Sequence, residues 1–132
     1  MIVYILQTSH ICNSSSCLVH TLFLTAPSAP PDMISVSEVY SDSVDLSWSP
    51  PPPEYHNGEI TGYNVTVTAT TSGVTFTIFS AINSTIIRSL TPFTTYTYSV
   101  AAVTRGGIGP YSTAGILVTS EAGKLMIMCS YL

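Results

Sequence analysis

The residues of this 132-residue chain with the most capacity for chemistry fall into three groups. The first is His10, Cys12, Cys17 and His20, in the pattern H-x-C-x4-C-x2-H. Imidazole and thiolate are preferred zinc ligands, but this spacing is none of the usual finger frames, and the apolar "LVHTLFL" beside it offers no ββα scaffold. These residues are read as incidental, and no metal is expected. The second group shares one loop: Glu54, His56 and Glu59. A His near two carboxylates can act as a base, yet no nucleophile and no oxyanion donors accompany it. Loop charges of this kind are usually solvated, so no catalytic residue is expected. The third group, Gly106, Gly107 and Gly109, lacks the G-x-G-x-x-G spacing and lies between two strand-like runs, not between a strand and a helix. No cofactor is implied by any of the three, and the chain is not read as an enzyme.

Charge narrows the partners further. The net charge is −4, and Arg88, Arg105 and Lys124 are the only strong bases. No basic stripe exists to neutralise phosphates, which argues against nucleic acid as a partner. Charged residues make up 8% of the chain against about a quarter in ordinary domains, so hydroxyls must supply the polar surface. Nineteen Ser and eighteen Thr do so, and Thr, Tyr and Val suit a pleated sheet better than the crowded turn of a helix. An all-β fold is expected. The three cysteines, Cys12, Cys17 and Cys129, all lie in the end segments, which leaves the body without a core disulfide. No run of eighteen apolar residues is present, so no membrane span is expected in this chain.

Composition divides the chain into a lead (1–26), a regular body (27–121) and a tail (122–132), with the lead expected to be poorly ordered and the tail disordered. The body opens on the proline-rich "APSAPPDM", an extended linker. Turn signals then recur every eight to twelve residues, the spacing of a β-sandwich. Seven strands are predicted: Ile34–Tyr40, Ser43–Ser49, Ile60–Thr70, Val74–Phe79, Thr85–Ser89, Thr95–Thr104 and Tyr111–Thr119. In the second, Val44, Leu46 and Trp48 alternate with polar residues. In the third, Tyr63, Val65 and Val67 take one face, with Asn64, Thr66 and Thr68 on the other. The sixth carries Tyr96, Tyr98, Val100 and Ala102 on its inner face. After the second strand, Pro50 to Pro53 satisfies P-x-x-P, but it follows Trp48 by two residues, where the chain must leave the sheet. It is read as a strand stop and stiff connector, with Asn57-Gly58 turning the chain into the next strand.

Together, "SVDLSW", the prolines, "NGEITGYNV", "LTPFTTYTYSVAAVT" and "GGIGPYS" resemble a fibronectin type III domain over about 29–121. The resemblance implies an immunoglobulin-like, seven-stranded sandwich of a three-stranded and a four-stranded sheet, free of disulfides. Trp48, the single tryptophan, is read as a packing residue on the apolar face of its strand. Leu90 ends the fifth strand and Pro92 breaks the sheet. Tyr96 takes the position of a tyrosine corner, whose hydroxyl bonds to the backbone upstream.

The candidate partner-binding loop is "TRGGIGPYS", with Arg105, Gly106, Gly107 and Ile108 at its centre: a lone cation and an apolar residue at a loop tip. Its glycines and Pro110 are also what a simple chain reversal needs. In the resembled family this loop can carry an integrin-binding Arg-Gly-Asp motif, but here Arg105-Gly106 is followed by Gly107, so that role does not transfer.

Three of the four asparagines lie in sequons: Asn13-Ser14-Ser15, Asn64-Val65-Thr66 and Asn83-Ser84-Thr85. Asn64 falls on a solvent face and Asn83 in a turn, so both are candidate glycosylation sites, and a secretory route is expected. Leu18–Leu24 followed by Thr25-Ala26 has the form of a short signal segment, but no basic residue precedes it, and the question stays open. The expected function is an extracellular or cell-surface, adhesion- or receptor-type module that binds a protein partner. A passive spacer and an accessory module of a secreted enzyme remain the alternatives.

Overall fold

A computed structural model describes the backbone of residues 4–13 and 16–122, with side chains from residue 24 onward. The body is all β apart from one 3-10 turn, Pro53–Tyr55. Two antiparallel sheets face each other. The smaller is built from β3 (Asp32–Val39), β4 (Val44–Ser49) and β7 (Ser84–Ile87), in the order β3-β4-β7. The larger holds β6 (Thr75–Ser80), β5 (Ile60–Ala69) and β8 (Thr95–Thr104). The free edge of β8 is taken in turn by β9 (Gly107–Tyr111) and β10 (Gly115–Val118).

Period-two alternation places the core. Val44, Leu46 and Trp48 from β4 meet Tyr63, Val65 and Val67 from β5 and Tyr96, Tyr98, Val100 and Ala102 from β8, and all are buried. Each aliphatic side chain so buried contributes roughly 1.5–3 kcal/mol, and Trp48 sits 3% exposed with its ring edge-on to Tyr63 at 5.3 Å. Leu90 joins this core and its N–H donates to the Asp42 carbonyl at 2.9 Å, which closes the smaller sheet's end.

The last predicted strand is a correction. Instead of one run, Tyr111–Thr119, the chain forms β9 and β10 with a break at residues 112–114. Ser112 explains it: the Val100 N–H donates to the Ser112 hydroxyl at 3.1 Å in place of a strand carbonyl, while Ser112 N–H bonds back to Val100 at 2.8 Å. A side chain thus substitutes for one ladder position and the strand is offset. The lead holds one further pair of strands. Tyr4–Asn13 (β1) and Ser16–Leu24 (β2) pair antiparallel, Tyr4 opposite Leu24, where the sequence reading places no strand. Both runs are rich in Ile, Leu, Val and Thr, and pairing lets each satisfy the other's backbone. The tail beyond residue 122 lies outside the described residues.

Burial raises the Tyr63 and Tyr98 hydroxyls above the ordinary tyrosine value of about 10. The folded state then holds these protons more tightly than the unfolded chain does. Their contribution is complete below about pH 10 and is lost as pH rises through the raised values. Urea midpoints are therefore expected to fall above about pH 10, with part of the tyrosinate absorbance appearing only as the fold is lost. A flat midpoint across that range would contradict the burial.

Candidate interaction surface

The Arg105–Ile108 segment is tighter than a loop. Thr104 of β8 pairs with Gly107 of β9, so only Arg105 and Gly106 form the turn, and Gly107 and Ile108 belong to a strand. Arg105 is exposed and Ile108 is 52% exposed, while Gly106 is buried. What buries it is the chain's own segment leading into the body. Thr104 Oγ1 donates to the Thr25 carbonyl at 2.9 Å and accepts the Gly106 N–H at 3.2 Å. A Cβ at Gly106 would overlap the Thr25 backbone, and one at Gly109 would crowd Pro27. The same segment is held from its other side, where Asn57 Nδ2 donates to the Ala26 carbonyl at 3.0 Å and Ser28 N–H to the Tyr55 carbonyl at 2.9 Å.

The glycines are therefore a seat for residues 25–27 as well as a turn. Gly109 lies inside β9, where a glycine commonly marks close backbone approach, but the sequence reading places it in a turn and so held no such signal. Gly106→Ala is expected to cost about 1–3 kcal/mol in urea denaturation, because backbone, and not a flexible side-chain end, must yield. An unchanged midpoint would mean that Thr25 is not seated there. With one side closed, the surface this end offers is Arg105 and Ile108, a cation beside an apolar tip.

The remaining candidates are dispersed. His56 Nε2 bonds to the Pro51 carbonyl; a carbonyl only accepts, so Nε2 carries the proton and is not free to act as a base there. Pro51 itself is fully buried, which leaves the proline run unsuited to docking as a free peptide. Among the described residues no three His, Cys, Asp or Glu side chains gather in a way that could hold a metal ion. The side chains of His10, Cys12, Cys17 and His20 lie outside the described residues. No helix among the described residues is long and apolar enough to cross a membrane.

Asn64 sits half-buried on the outer face of β5, and Asn83 is exposed just before β7. Asn83 Nδ2 donates to the Trp48 carbonyl at 3.0 Å, and Trp48 N–H to the Asn83 carbonyl at 3.0 Å. Nδ2 has two hydrogens, so this bond leaves one position for a substituent.

Tyr96 Oη accepts the Thr91 N–H at 2.8 Å across the crossover between the sheets. The sequence reading singles out nothing at Thr119, yet this residue, 1% exposed, closes the same crossover. Its hydroxyl donates to the Thr91 carbonyl at 2.7 Å and accepts the Thr94 N–H at 2.9 Å. A threonine at a strand end carries no distinctive signal in a chain with eighteen of them.

Comparison with known proteins fits this geometry. The fibronectin type III domain model matches residues 28–116. Human Roundabout homolog 2 is 36% identical over 107 residues, covering 77% of this chain and 8% of that protein. Mouse receptor-type tyrosine-protein phosphatase F is 34% identical over 113 residues, covering 79% of this chain and 6% of that protein. The chain thus spans less than a tenth of either relative, and these matches are to fibronectin type III regions. The solution structure of the third fibronectin III domain of human KIAA0343 superposes with a TM-score of 0.67 at 24% identity, covering 85% of this chain and 97% of that domain.

Proposed function

This chain belongs to the fibronectin type III family, and from that premise we propose that it is a non-catalytic protein-interaction module of an extracellular or cell-surface protein, reaching its place by the secretory route. The observation that carries the reading is its similarity to a small part, a fibronectin type III region, of a receptor-type protein. Two features support it. Asn64 and Asn83 stand in sequons on an outer face and an exposed turn, positions where a glycan leaves the core undisturbed. Arg105 and Ile108 form an exposed tip on a rigid hairpin, the kind of anchored end that presents contact residues without a large ordering cost.

Expression of the full chain through a secretory eukaryotic host, followed by peptide mass analysis before and after enzymatic deglycosylation, tests the route. Glycan is expected on both Asn64 and Asn83. A chain that is retained, or secreted bare at both positions, would overturn the secretory reading.

A further inference from the structure

The outer face of the larger sheet holds one asparagine between two aromatic rings. In the register of β6, β5, β8 and β9, Phe79 lies opposite Asn64, Asn64 opposite Ala101, and Ala101 opposite Tyr111. Directly opposed side chains stand about 5 Å apart, within reach of one another. Phe79 is 57% exposed and Tyr111 43%, an apolar pair that the described residues leave open, whereas Ala101 between them is fully buried. The Phe79 ring is not free to swing. A Cβ at Gly62, two residues before Asn64 on the same face, would overlap the far end of that ring, so the ring lies over the glycine. The next two rows of the face, by contrast, are hydroxyls bonded to each other: Thr66 with Thr77 at 3.3 Å and Thr68 with Thr75 at 2.8 Å.

We propose that an N-linked glycan on Asn64 folds back onto this face, laying the C–H side of its first sugar against the Phe79 ring and covering the aromatic pair. The proposal rests on the secretory reading of Asn64. In forming the link, Asn64 Nδ2 bonds to the anomeric carbon of a lipid-pyrophosphate-linked oligosaccharide as that carbon's bond to the pyrophosphate oxygen breaks. The lipid pyrophosphate departs, and Nδ2 gives up one proton and keeps the other. In the folded chain the Thr66 hydroxyl of this sequon stands 3.3 Å from that of Thr77, and transfer before the β5–β6 hairpin closes would meet it without that partner. Once the hairpin forms, the sugar emerges beside an aromatic ring already pinned on Gly62, and little further ordering is required for the two to meet. Asn83 stands apart from this row, just before β7, with its amide bonded to the Trp48 carbonyl.

A double-mutant cycle on the full chain from a secretory eukaryotic host tests the proposal: native sequence, Asn64→Gln, Phe79→Ala and the double variant, with glycans trimmed to one N-acetylglucosamine. Glycans at other sequons are common to all four and cancel. Mass analysis records occupancy, and the melting midpoint records stability. The sugar at Asn64 is expected to raise the midpoint by about 4 °C or more with Phe79 present, and by less than about 1 °C in the Phe79→Ala background, where the ring is gone. Phe79→Tyr should keep the increment. Phe79→Leu, which still covers Gly62, should lose most of it and guards against a poorly folded Phe79→Ala. Equal increments in both backgrounds, with Asn64 occupied, would overturn the packing and leave the secretory reading standing, with the face open to another protein. An Asn64 found bare in the secreted native chain would overturn the proposal and its premise at that site.

Discussion

Replacing Trp48 by alanine is expected to remove about 3–5 kcal/mol of stability, a large part of the roughly 5–15 kcal/mol that holds a domain folded. The ring is 3% exposed and packs edge-on against Tyr63, so truncation leaves a cavity walled by both sheets. Leu46, Val65 and Val100 of the same core cluster are themselves fully buried or nearly so, and a packed core of this kind collapses only partly into such a space. The indole Nε1–H has no hydrogen-bond acceptor among the described residues, so the ring's contribution is packing, not polar bonding. Trp48→Phe should accordingly cost clearly less than Trp48→Ala, since no bond is broken. Because this is the only tryptophan, unfolding in urea must be followed by circular dichroism instead of indole fluorescence. A loss below about 1 kcal/mol for the alanine variant would place the ring outside the core.

Thr119→Val is expected to cost about 2–4 kcal/mol, although the two side chains have nearly the same shape. The hydroxyl both donates to the Thr91 carbonyl and accepts the Thr94 N–H, and valine leaves both backbone groups without that partner. Each such loss is worth about 1–3 kcal/mol where water does not replace the bond. Tyr96→Phe removes the acceptor of the Thr91 N–H alone and should therefore cost less, on the order of 1–2 kcal/mol. The two substitutions act on one crossover and share Thr91, so their combined cost should depart from the sum. A neutral Thr119→Val in the same denaturation would mean that the crossover is held by its backbone bonds alone, those of Thr119 N–H to Thr94 and Phe93 N–H to Ser120.

These two residues also mark how far the sequence could be read. Trp48 was legible because alternation and ring size coincide on one strand, and the sheet order follows from such alternations combined with family resemblance. The break between β9 and β10 was not legible, since it depends on a serine hydroxyl standing in for a carbonyl, and serine is everywhere in this chain. The seat for residues 25–27 was hidden for a related reason. It is formed by what glycines lack, and a glycine-rich turn and a glycine-lined contact read alike until the opposing backbone is in place. Phe79 and Gly62 likewise lie seventeen positions apart and meet only through the β5–β6 register.

The exposed tip at the β8–β9 turn offers the most direct measurement of whether this module binds or merely spaces. The full chain, secreted and displayed as a multimer, would be titrated onto intact cells of the source organism, beside a variant carrying Arg105→Glu and Ile108→Asp. Both side chains are exposed, so the variant should fold as the parent does. Saturable, protease-sensitive binding that weakens about tenfold or more in the variant is the expected result. Binding that never saturates, or that is the same for both chains, would contradict an interaction surface at this tip.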